Sequence, residues 1–113
     1  MKDCIFCKIV AGEAPAEVVY EDERVLAFKD INPLAPVHIL IVPRLHLATL
    51  NDLQPEHKDL VSHIFKVAIE LAHKFKIDKG YRVVTNCGAD GGQIIFHLHF
   101  HLLGGKVFDH NLV

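Results

Sequence analysis

The chain is predicted to be an α+β protein: an antiparallel meander sheet carrying one long helix, with a short helix at its amino terminus. Three observations lead there. Short β-prone runs recur with turn-forming residues between them, a single stretch from Pro55 to Phe75 carries apolar residues at helical intervals, and the tract HLHFH (His97 to His101) alternates imidazole with apolar side chain. Strands joined by short connections pair antiparallel, and one long helix is enough to cover a face of such a sheet.

The elements follow in order. Ile5, Phe6, Ile9 and Val10 have helical spacing and Gly12 follows closely, so a short helix is expected from about Cys4 to Ala11. Val18-Val19-Tyr20 and Val25-Leu26-Ala27-Phe28 flank the charged turn Glu21-Asp22-Glu23-Arg24 and read as a hairpin. A turn-rich segment, Asp30 to Pro36, leads to a third strand, His38 to Val42, closed by Pro43. The long helix starts near Pro55, Glu56 and Asp59, uses Leu60, Ile64, Ala68, Leu71 and Phe75 as its apolar face, and is expected to stop at Gly80 after Lys74, Lys76 and Lys79. Tyr81 to Thr85 is a fourth strand. A glycine-rich loop, Gly88 to Gly92, then leads into the histidine strand, which ends at Gly104-Gly105.

A chain of 113 residues corresponds to one domain spanning 1–113, and 50% hydrophobic residues with 23% charged argue for a packed globule over disorder. A net charge of −2 gives no electrostatic case for a nucleic-acid partner, so the ligand should be small. The opening Met1-Lys2-Asp3-Cys4 lacks the pattern of a signal peptide, and no window is apolar for long enough to span a bilayer. A cytoplasmic protein with no membrane partner is expected. Cys4, Cys7 and Cys87 are odd in number, and the C-x-x-C spacing of the first two suggests metal or redox chemistry before a structural disulfide.

Along a strand, His97, His99 and His101 share one face and Leu98, Phe100 and Leu102 the other. Same-face neighbours lie roughly 6.5 to 7 Å apart, so adjacent rings can address one ligand or one metal ion. The loop Gly88 to Gly92 matches neither a Walker nor a dinucleotide fingerprint, yet free amides beside three imidazoles could cradle a phosphate. No organic cofactor is expected.

HLHFHLL with its approach VTNCGADGGQ resembles the H-x-H-x-H signature, followed by two apolar residues, of the histidine triad superfamily. CIFCKIVAGEAPAEVVYEDERVLAFKDINPLAPVHILIVPRLH is similar to the amino-terminal half of its nucleotide-binding branch, so the resemblance runs from Cys4 to Lys106. It implies a homodimer made by joining two sheets, and hydrolysis of purine nucleoside 5′-phosphoramidates, of the adenosine 5′-monophosphoramidate type, through a nucleotidyl-histidine. His99 corresponds to the nucleophile. His101 would hold the phosphate oxygens with Asn86 and the amides of Gly92 and Gln93, and His38 would complete the pocket. Asp30 matches the carboxylate that accepts both ribose hydroxyls. Ile5, Phe6, Phe28 and Ile31 would form the apolar slot for the base.

Two departures stand out. Many members carry a serine after the glutamine of the GGQ turn, where this chain has Ile94, so a hydroxyl donor near the leaving group is missing. The tail from Val107 to Val113 matches nothing firm, and in the family it lies near the partner's site. Some bacterial-type relatives hold structural zinc with residues that correspond to Cys4, Cys7, His46 and His97, a closed tetrahedral set. The competing readings are a dinucleoside polyphosphate hydrolase, a nucleotide-binding module with little turnover, and a metalloenzyme that uses HLHFH itself as zinc ligands.

Overall fold

A computed structural model describes residues 3–111. Helix α1 spans Ile5–Val10, with Cys4 as its N-cap: the Cys4 Sγ accepts the Cys7 amide. Strands β1 (Val18–Glu21) and β2 (Val25–Lys29) form the expected hairpin, and β3 (Val37–Pro43) pairs antiparallel with β2. Helix α2 runs from Lys58 to Lys74, preceded by a 3₁₀ turn at Pro55–His57. Strands β4 (Tyr81–Val84) and β5 (Phe100–Gly104) complete the sheet.

The strand order is β1-β2-β3-β5-β4, antiparallel throughout. The first three strands form the meander, and the last inserts between β3 and β4. Burial explains the insertion: β5 alternates buried and half-buried positions and needs a strand on each side, whereas β4 is half-buried along its whole length and suits an edge.

The two faces of the sheet have different covers. On one, Val25, Ala27, Ile39, Ile41, Phe100 and Leu102 pack against Ile64, Val67, Ala68, Leu71 and Ala72 of α2. Leu60 and Phe75, expected on that helical face, border the core half-buried. On the other, Leu26, Phe28, Leu40 and Val42 pack against Phe6 of α1. This second face carries His38 and His101, since His101 pairs with Leu40, and His38 lies two residues before it on β3.

Helix α2 stops well before Gly80. Its end is a Schellman motif built on Lys76 at φ 60°: the Ile77 amide donates to the Ala72 carbonyl and the Lys76 amide to His73, while Ile77 is buried. That burial constrains β5, because a Cβ on Gly104 would lie 2.6 Å from Ile77 Cδ1. The hairpin is tied to α2 through Asp22. Its carboxylate accepts the Arg24 and Val25 amides, the Tyr20 hydroxyl and, at 2.6 Å, the Nε2–H of His63. Burial opposes the Asp22 charge, but these donors outweigh it and hold the carboxyl well below its usual range; the Tyr20 phenol, donating to Asp22, is pushed up to about 12. No helix among the described residues is long and apolar enough to cross a membrane.

The histidine strand is shorter than its alternation suggests. Ladder pairing begins only at Phe100; His97 lies in a bend, and Leu98 and His99 carry no ladder. Two other contacts replace the ladder: the Leu98 amide donates to the Leu47 carbonyl at 2.6 Å, and Thr85 Oγ1 donates to the His99 carbonyl at 2.8 Å. The alternation survives, with Leu98, Phe100 and Leu102 in the α2 core and the imidazoles facing away from it.

Candidate active site and metal centre

Hydrogen-bond partners assign the tautomer of each imidazole, because a carbonyl only accepts and an amide only donates. The Nδ1–H of His99 donates to the His97 carbonyl at 2.7 Å, which leaves the Nε2 lone pair free. The Leu34 amide donates to His38 Nδ1, so His38 Nε2 carries its proton and donates to His101 Nδ1 at 2.8 Å. His101 therefore presents Nε2–H as a donor. The His99 and His101 rings are 5.0 Å apart, and one face thus holds a neutral nitrogen nucleophile beside a donor suited to an oxyanion.

Burial keeps these rings neutral. It lowers the pKa of His38 and His99, with Asp30 partly opposing in both cases. His101 falls to about 4, through burial first and then repulsion from His99 and His38. Asp30 Oδ2 lies 3.4 Å from His38 Nε2 and its Oδ1 accepts the Asn32 amide, so Asp30 and His38 stand together at one end of the face.

The apolar residues divide. Phe6 and Phe28 are both 4% exposed and meet edge-on at 5.4 Å, and Phe6 also meets His99 edge-on at 5.1 Å. Ile5 is half-exposed and Ile31 is 90% exposed, a rim position outside the closed part of the slot.

The glycine loop corrects one expectation. The Gly92 amide donates to the Ala89 carbonyl and the Gln93 amide to Gly88, so neither is free for phosphate. The Gln93 side chain is buried and spent on the loop itself, accepting from Gly88 and donating to the Ala48 and Ile95 carbonyls. Asn86 donates to the Gly91 carbonyl. Gly92, at φ 87°, closes the turn, and Ile94 emerges 89% exposed. The tail folds back through Phe108, whose ring lies 4.4 Å from the Arg82 guanidinium, and Arg82 also donates to the Asp109 carbonyl. Residues 112 and 113 of the tail lie outside the described residues.

His97 belongs to a different group. Its Nε2–H donates to the Pro43 carbonyl at 2.7 Å, turning the Nδ1 lone pair toward Cys4 Sγ at 3.4 Å, Cys7 Sγ at 3.5 Å and His46 Nδ1 at 3.2 Å. All four donor atoms lie within 4.8 Å of one another. Tetrahedral zinc with Zn–N near 2.0–2.1 Å and Zn–S near 2.3 Å sets ligand atoms roughly 3.3 to 3.8 Å apart, so this donor set fits zinc, and the Pro43 carbonyl supplies the outer hydrogen bond that orients a ligating histidine. Burial and the neighbouring Cys4 raise the Cys7 thiol pKa, a preference that a bound cation reverses. The three imidazoles of HLHFH do not converge on one point: His97 joins the cysteines, while His101 joins Asp30 and His38.

Sequence reasoning missed Thr85, Pro43, Leu34 and Leu47. These act through backbone groups or through a hydroxyl reaching a backbone carbonyl, and residue type gives no signal for that.

Fold and site together define an antiparallel α+β protein with alternating histidines on one sheet face, split between two side-chain clusters. The family model described as "Scavenger mRNA decapping enzyme C-term binding" matches residues 3–110. An uncharacterized HIT-like protein of Buchnera aphidicola subsp. Baizongia pistaciae is 48% identical over 90% of this chain and 92% of its own length. Among solved structures, a HIT family hydrolase from Legionella pneumophila Philadelphia 1 superposes with a TM-score of 0.94 at 46% identity, covering 96% of this chain and 97% of that one. A zinc-bound histidine triad family protein from Mycobacterium smegmatis gives 0.82 at 32% identity, covering 96% and 79%. The chain belongs to the histidine triad family.

Proposed function

We propose that the protein hydrolyses purine nucleoside 5′-phosphoramidates through a covalent nucleotidyl intermediate on His99. The observation that carries this is the bond from His99 Nδ1–H to the His97 carbonyl, which aims a neutral Nε2 lone pair beside the His101 donor. His99 Nε2 attacks the α-phosphorus, the phosphorus–nitrogen bond breaks, and the amine leaves with a proton taken from water. A second water then attacks the phosphorus, releasing the nucleoside monophosphate and restoring neutral His99. His101 donates to a non-bridging oxygen, Asp30 takes the ribose hydroxyls, and the nucleoside lies against Phe6 and Phe28. The Legionella relative's description as a hydrolase supports the reaction class.

Cys4, Cys7, His46 and His97 hold a structural zinc with no coordination position left for substrate, as the zinc-bound Mycobacterium relative supports. The protein works as a homodimer joined through its sheets; β4 offers an open edge, and Phe65 and Ile69 of α2 leave apolar surface exposed. One observation favours a second reading, a nucleotide-binding module with little turnover: Ile94 offers no hydroxyl to the departing amine.

Incubation with an adenosine phosphoramidate, rapid quenching and mass spectrometry should find an adenylate adduct on the peptide containing His99. Release of AMP with no adduct on that peptide would exclude the covalent route, and binding without AMP release would favour the module.

A further inference from the structure

Two residues belong to both clusters. His97 turns its ring to the Cys4, Cys7 and His46 group, while its backbone carbonyl accepts the Nδ1–H of His99. Phe6 stands between Cys4 and Cys7 in sequence, and its ring meets His97 at 6.0 Å, His99 at 5.1 Å and Phe28 at 5.4 Å, edge-on each time. Such contacts place the positive edge of one ring against the face of another and depend on angle as well as distance.

Apart from these contacts, α1 rests on the half-buried Ile9 and Val10, which pack on the same apolar cluster as Phe6. It is six residues long, far below the length at which a helix is stable alone, and Phe6 is its one buried residue. The polar anchor is the donor cluster, with Cys4 at the N-cap and Cys7 one turn later. A cation drawing four ligands into one tetrahedron fixes the backbone on both sides of Phe6. Without it, the four groups are joined only by weak thiol–imidazole hydrogen bonds, Cys4 Sγ with His97 Nδ1 at 3.4 Å and Cys7 Sγ with His46 Nδ1 at 3.2 Å, which leaves α1 freer to shift. The Phe6 edge then moves relative to His99, and the His97 ring is left with the Pro43 carbonyl as its one strong anchor.

We propose that metal occupancy of the Cys4, Cys7, His46 and His97 group sets both the nucleotide affinity and the aim of His99, with Phe6 as the positioning residue that transmits the effect. This rests on the reading of the His99 face as a nucleotide site. It goes further by making the metal a thermodynamic partner of the nucleotide. Coupling of this kind is reciprocal, so AMP must tighten zinc by the factor by which zinc tightens AMP.

The test compares zinc-loaded protein with protein stripped by a chelator, with circular dichroism monitoring the fold and calorimetry the AMP affinity. AMP should bind about tenfold more weakly to the stripped form, within the usual range of coupling between sites. In the converse measurement, saturating AMP should make zinc transfer to a chromophoric chelator about tenfold less favourable. Phe6→Leu should retain its zinc and show less than about twofold coupling in either direction. Nitrogen-detected spectra should show His99 as the Nδ1–H tautomer when loaded and as a mixture when stripped. The transfer measurement begins from loaded, folded protein, and full coupling in Phe6→Leu would mean that metal acts only through global folding, which overturns the role of Phe6. Equal AMP affinities with and without zinc overturn the coupling itself. Failure of the loaded protein to bind AMP overturns the reading of the site on which it rests.

Discussion

The first and middle positions of HLHFH carry the same residue and are put to opposite uses. At His97 the ring donates through Nε2 to Pro43 and turns Nδ1 toward two sulfurs and a second imidazole; at His99 it donates through Nδ1 and leaves Nε2 open. In each case a backbone carbonyl takes one ring proton and thereby chooses which nitrogen is free. Which nitrogen carries the lone pair, and what it faces, separates the proposed metal ligand from the proposed nucleophile. His101 differs again, because its Nδ1 is filled by His38 and it is left as a donor.

The sharpest way to test that contrast is His99→Ala. Turnover of an adenosine phosphoramidate should fall by about a thousandfold or more, since the covalent step has no substitute, while zinc content stays near one per chain. Loss of metal along with activity would merge the two positions into one metal site.

Cys4→Ser probes the His97 group. It should lose its zinc and lower the melting temperature by about 5 to 10 °C, because metal binding is coupled to the order of α1. A variant that melts with the wild type and carries no metal would return Cys4 and Cys7 to ordinary partly buried thiols.

Asp30→Ala asks how far the nucleotide end extends. Binding of AMP should weaken by about 1 to 3 kcal/mol through loss of charge-assisted bonds, with little change for a 2′,3′-dideoxy analogue. Equal losses for both ligands would show that Asp30 serves His38 and the Asn32 turn instead.

The smallest expected effect is on pH dependence. The folded-state pKa of His101 is lowered from 6.5 to about 4, so between those values the unfolded chain binds the proton that the folded chain refuses. Its contribution to stability is therefore present above about pH 6.5 and is lost as pH falls toward 4. His101→Gln should flatten the slope of melting temperature against pH in that window. An unchanged slope would assign the acid sensitivity to other groups.

Much of this protein was legible in its residues. β-Prone runs bounded by turn residues located the hairpin, β3 and β4, and a 3.6-residue period located α2, each to within a few residues. The alternation in HLHFH kept the imidazoles out of the α2 core, which takes Leu98, Phe100 and Leu102, even where the ladder is missing. Local sequence did not contain what depends on distant backbone. The place of β5 between β3 and β4, the Schellman end at Lys76, and the spending of the Gly92 and Gln93 amides on their own loop all follow from which carbonyls and apolar surfaces meet after folding. The split within the triad is of the same kind. Pro43 lies 54 positions from His97 and Cys4 lies 93, and only the packed sheet brings that carbonyl and that sulfur to opposite sides of one ring.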